Sequence, residues 1–169
     1  MKRFFRFLSI IILSVLLLNA CTKEEVFPPE PAITFISFDK IANNSSIDDK
    51  GLLKIFFTDG DGDLGLNDFD TNAPFDKNSM YYYNFFIKYF EKQHGTFVEV
   101  DLPLPFNSRI PRLQSSGNSP SIKGEIELEV FINNISSAFD TIHFTASICD
   151  RALNMSNVIT TPEIIVKKH

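Results

Sequence analysis

Asp59, Asp61 and Asp63 alternate with Gly60 and Gly62, and the chain runs on through Gly65, Asn67, Asp68 and Asp70. Carboxylates at i, i+2 and i+4 let a short loop wrap a hard cation. The glycines between them reach the positive φ angles that the wrapping needs. Calcium suits this donor set, since it takes roughly 6–8 oxygen ligands. The candidate ligands are the side chains of Asp59, Asp61, Asp63, Asn67 and Asp70 and the carbonyl of Gly65. The alternative is a metal-free acidic turn, because Asp and Gly dominate turns in any case. Against it, three converging carboxylates repel one another without a cation.

The spacing resembles the EF-hand loop pattern, in which alternate side chains at the start of the loop bind the ion. Two residues depart from that pattern. Leu64 stands where the loop glycine belongs, and Asp70 stands in place of the closing bidentate Glu. The flanks also read as strands and not helices: the hydrophobic run 52–57 enters the loop and the aromatic run 81–90 leaves it. The resemblance therefore implies calcium ligation in a β context, similar to the Asp-rich loops of thrombospondin-type-3 and cadherin-like modules.

The elements that must hold this loop are read from apolar alternation. A first strand is expected over 32–38. A second, over 52–58, points Leu53, Ile55 and Phe57 to one face. A third, over 81–90, carries Tyr82, Asn84, Phe86, Lys88 and Phe90 on its outward face. His94-Gly95 turns the chain into 97–102. Over 124–131, Ile126, Leu128 and Val130 alternate with Glu125, Glu127 and Glu129, the pattern of an antiparallel strand with one wet face. Ile142, Phe144, Ala146 and Ile148 point inward from 141–149. A last strand over 158–166 contains Pro162, which edges and bulges tolerate.

Seven or so strands with turn signals between them, and no amphipathic helix, predict an all-β chain: an immunoglobulin-like antiparallel β-sandwich over 32–169. Asp150-Arg151-Ala152-Leu153-Asn154-Met155-Ser156-Asn157 resembles the turn before the last strand of many bacterial immunoglobulin-like domains. That resemblance implies fold and not activity. It would bring Asp150 beside the acidic loop as a further ligand; alternatively, Asp150 caps its own turn.

The chain opens with Lys2, Arg3 and Arg6, followed by an apolar run over 7–18. This has the form of a secretory signal, too short for a stable span. It ends Leu18-Asn19-Ala20-Cys21, which resembles the bacterial lipobox and implies cleavage before Cys21 and lipidation of its thiol. Thr22-Lys23-Glu24-Glu25 resembles the surface-export signal of Bacteroidota lipoproteins. The expected organisation is a signal peptide over 1–20, a lipidated cysteine with a Pro-rich tether over 21–31, and the sandwich. The expected location is the outer membrane, lipid-anchored and facing the cell surface, with a periplasmic face as the alternative.

Loss of the signal removes three of 16 basic residues and none of 21 acidic ones, leaving 149 residues at a net charge of −8. That balance argues against nucleic acid as a partner. Eighteen Phe and four Tyr supply a core without Trp. Cys149 has no intrachain partner once Cys21 is lipidated, and reads as a small buried hydrophobe. No hydrolase or phosphate-loop motif is present, so a non-enzymatic binding or accessory subunit is expected, with an outer-membrane protein complex as its partner. The long segment 102–121 reads either as a solvated crossover or as a contact loop using Phe106, Arg109 and Arg112; 110–113 has the composition of a short edge strand. Tyr81, Tyr82 and Tyr83 suggest the other reading, a sugar-stacking platform in a carbohydrate-binding lipoprotein of a glycan-uptake system.

Overall fold

A computed structural model describes residues 25–103, 105–114 and 120–168; the signal sequence, Cys21 and the first tether residues lie outside them. Eight strands follow in order: β1 (Ala32–Ala42), β2 (Asp48–Asp59), β3 (Phe85–Gln93), β4 (Thr96–Glu99), β5 (Ile122–Phe131), β6 (Thr141–Ile148), β7 (Ile159–Thr160) and β8 (Ile164–Ile165). They form an antiparallel β-sandwich. One sheet is ordered β1-β2-β5; the other is ordered β4-β3-β6-β7, with β8 also on β6.

The period-2 alternation sets which face is buried. Leu53, Ile55 and Phe57 of β2 meet Ile142, Phe144, Ala146 and Ile148 of β6 in one core cluster. Phe144 lies at its centre, with the rings of Phe38, Tyr89 and Phe106 at 5.6, 5.6 and 5.5 Å. Cys149 is buried, as expected, and burial pushes its thiol up to about 11.

Two strand expectations need correction. The aromatic run 81–90 is not strand throughout. Met80–Tyr82 is a 3-10 turn, with the Ser79 hydroxyl accepting from Tyr81 N, and β3 starts only at Phe85. Asn84, expected on the strand's outward face, is buried, and its side chain pairs with both backbone groups of Ile110: it accepts from Ile110 N at 2.6 Å and donates to Ile110 O at 3.3 Å. The last strand is likewise split into β7 and β8 around Pro162, which has no N–H for the ladder. Thr161 fills the gap. Its N–H donates to Phe144 O and its hydroxyl accepts from Phe144 N.

Far from the acidic loop, Glu91 is buried at 1% exposure among four donors: Tyr89, Gln93, Asn134 and Ser137. Burial raises its pKa, but the hydrogen bonds outweigh it, and the carboxyl titrates below its ordinary value. A depressed carboxylate adds stability that is complete above the unfolded pKa and is lost as pH falls through the folded one. Glu91→Gln is therefore expected to cost about 1.5–3 kcal/mol at pH 7 and to flatten the acid arm of the stability curve. Denaturant unfolding of both chains from neutral to acid pH checks this; a constant gap between the two curves at every pH would rule it out.

Candidate metal centre

β2 delivers Asp59 at its last position, opposite Ile122 of β5. Its side chain is fully buried. One oxygen, Oδ2, accepts from Leu64 N at 2.8 Å, while Oδ1 has no hydrogen-bond partner. Carboxylate oxygens of Asp59, Asp61 and Asp63 all lie within 4.8 Å of one another, Asp61 exposed and Asp63 half-buried. Burial, followed by repulsion from Asp61 and Asp63, pushes Asp59 up to about 6. Asp63 is raised as well, by burial and by the charges of Asp150 and Asp61. The three carboxylates form a group that could hold a metal ion. An ion there would partner the bare Asp59 oxygen and cancel the repulsion.

The loop backbone is held from three sides. Gly62, at φ 67°, sits so close to the Pro120 carbonyl that an added Cβ would lie 1.8 Å from its oxygen. Gly60 donates its N–H to Pro28 O at 2.9 Å, so the tether is docked on the loop and is not a free spacer there. Lys123 reinforces that docking by pairing with Glu25 and lying over the Phe27 ring. On the exit side, Leu64 and Leu66 are buried at 0% and 3% exposure. That explains the departure from the EF-hand pattern: Leu64, in the glycine's place, anchors the loop to the core.

The third support is the segment expected to be either crossover or contact loop. Residues 109–113 of it form a strap along the acidic loop. Leu66 and Pro111 make a parallel bridge, with Leu66 N donating to Ile110 O and Arg112 N to Leu66 O. Ile110 is buried, so 110–113 is a bridge against the loop and not a regular edge strand. Arg112 donates to Asp63 O. Arg109 donates to Tyr82 O at 2.6 Å, Asn67 O at 3.1 Å and Asp70 O at 3.2 Å, and lies over the Tyr82 ring at 4.9 Å. Phe106 packs on Tyr89 and Phe144 in the core. Of the residues expected to meet a partner, Tyr82, Arg109 and Arg112 are engaged inside the molecule through these contacts. Arg109→Ala would remove a donor from three carbonyls, of which Asn67 O still accepts from Asp70 N, at an expected cost of about 1.5–3 kcal/mol. Faster amide exchange confined to 64–72 and 80–84 would mark that effect; exchange unchanged there would refute it.

The predicted ligand set separates into two groups. Asp59, Asp61 and Asp63 converge. Asp70 stands apart: its carboxylate accepts from Asn67 N at 2.7 Å and pairs with both Nη atoms of Arg151, which holds its pKa below the ordinary value. Gly65 turns the chain at φ 97°. Asp150 does reach the site's neighbourhood, since its charge raises Asp63 and the next residue's N–H donates to Asp63 Oδ1 at 3.3 Å. Its own carboxylate, however, caps its turn, accepting from Asn154 N and Nδ2 at 2.7 and 2.8 Å. Arg151 went unnoticed in the sequence. The signal was a lone cation beside Asp150 in a turn expected to face an acidic loop. Comparison of the chain with protein-family models, with curated proteins and with solved structures returns no match.

Proposed function

We propose that this chain is a lipid-anchored, non-enzymatic binding or accessory domain whose membrane-side end is stiffened by calcium. The observation that carries the metal is Asp59: a fully buried carboxylate with one bare oxygen, grouped with two further carboxylates. An unpaired buried charge is costly, and a hard cation with oxygen ligands is the natural partner. Asp59, Asp61 and Asp63 would supply side-chain oxygens and waters the remainder. Asp70 and Asp150, engaged elsewhere, would steady the loop from outside.

The anchoring reading rests on the signal-like segment and Cys21, and the tether's path is in keeping with it. Residues 25–28 run onto Gly60, so a lipid at Cys21 would place the acidic loop toward the membrane and the opposite end of the sandwich away from it. An ion at Asp59–Asp63 would then fix both the loop and the angle at which the tether leaves. The carbohydrate reading has less support, since the Tyr82 ring is covered by Arg109 and has Tyr83 at 5.0 Å, nearly perpendicular.

Calorimetric titration of the full chain with calcium, and separately with magnesium, tests the site. One calcium per chain, lost in Asp61→Ala, is expected, with a Kd of roughly 10⁻⁴–10⁻³ M, the range of extracellular modules. No heat at millimolar calcium, or equal binding by Asp61→Ala, would sink the metal reading.

A further inference from the structure

The second site lies at the other end of β5. This strand closes its sheet: it pairs with β2 along ten residues, and among the described residues no ladder forms on its other edge. The inward side chains register that opening. Ile126 and Leu128 stand opposite Ile55 and Leu53, yet those two are buried at 0% and 1% while Ile126 and Leu128 are only half-buried. Beside them opens an apolar cleft of about 630 Å³ between the sheets, lined by Tyr89, Leu102, Phe106, Leu128 and Val130. Phe131 and Ile135, 60% and 90% exposed, flank it. Asn133 also lines it, and its buried Oδ1 has no hydrogen-bond partner.

We propose that the free edge of β5 binds an extended polypeptide strand from a partner, with apolar side chains entering this cleft and basic side chains facing Glu125, Glu127 and Glu129. Strand addition matches both features at once. A free edge presents N–H and C=O groups at strand spacing, which a peptide backbone can satisfy along its length. The two faces of the added strand then meet different surroundings, since its side chains alternate. Inward ones take the cleft beside Leu128 and Val130. Outward ones take the glutamate row, where three carboxylates share the two ammonium groups of Lys50 and Lys54.

The same row argues against a second copy of this chain. Two β5 strands paired antiparallel about Glu127 would set Glu127 against Glu127 and Glu125 against Glu129, and like charges directly opposite destabilise a pair. A basic strand has no such penalty. The cleft also lies at the Phe131 end of β5, and its nearest residue there, Leu128, is six residues or about 20 Å from Ile122 beside the acidic loop. The proposal is therefore independent of the metal.

Two octapeptides test it on the full chain: one alternating valine and lysine, the other valine and glutamate. A third, with four valines followed by four lysines, controls for charge alone. Binding is read by fluorescence anisotropy and by amide hydrogen exchange over 122–131. The alternating basic peptide is expected to bind at least tenfold tighter than the other two and to slow exchange in β5. Glu125→Lys with Glu127→Lys, both exposed, is expected to reverse the preference toward the acidic peptide. Equal binding of the block and alternating basic peptides, no slowing of β5 exchange in the native chain, or a self-paired dimer by sedimentation would each overturn the proposal.

Discussion

Phe144→Ala is expected to lower the unfolding free energy by about 3–5 kcal/mol, the range for truncating a buried phenylalanine. The upper part of that range applies because the site cannot collapse. Phe144 is fully buried, three aromatic rings close on it from both sheets and from the segment leading into the strap, and its backbone is bonded twice to Thr161. Rigid neighbours leave a cavity, and cavity volume adds to the lost transfer energy. For a domain of this size the midpoint should fall on the order of 10 °C. Thermal unfolding followed by circular dichroism measures it; a shift of only a degree or two would show that the two sheets do not depend on this ring.

Gly62→Ala is expected to be nearly as damaging, and by a different route. The left-handed conformation at φ 67° alone costs a residue with a Cβ about 1–2 kcal/mol. The new Cβ would also meet a backbone oxygen, that of Pro120, at 1.8 Å, which no rotamer change can relieve. Either the loop or the start of β5 must move, so a total loss of about 2–4 kcal/mol is expected. Because Gly62 lies between Asp61 and Asp63, the loss should come with a weakened response to calcium. An alanine variant with native stability and native calcium response would contradict the loop geometry described above.

Much of this was legible before the structure. Apolar alternation in 141–149 gave its core face directly, because period 2 admits only one inward set. The Asp-Gly spacing gave the three converging carboxylates, because ligands two residues apart on a wrapped loop have little choice but to converge. What stayed hidden was settled at long range. Asp70 fits a ligand position by spacing, yet Arg151, 81 residues away, takes its carboxylate. Tyr81, Tyr82 and Tyr83 have high strand propensity, but the Ser79 cap and Arg109 on the Tyr82 carbonyl hold Tyr81 and Tyr82 in a turn, and Tyr83 is the extended residue that leaves it. Arg109 and Arg112 read as residues of a partner-contact loop and also act as clasps inside the molecule, because the carbonyls they bind lie more than 25 residues earlier. The docking of the Pro-rich tether was hidden as well, since nothing in Phe27-Pro28 announces that Gly60 lies within reach.

Thermal unfolding of the full chain in millimolar calcium and in chelator tests the central claim most directly. A ligand bound only by the native state adds RT ln(1 + [L]/Kd), about 1.4 kcal/mol at ten times Kd, and so raises the midpoint by a few degrees. The account predicts that rise in calcium, and its disappearance in Asp61→Ala. Coincident curves in calcium and chelator, or a rise that survives in Asp61→Ala, would contradict a metal at Asp59, Asp61 and Asp63.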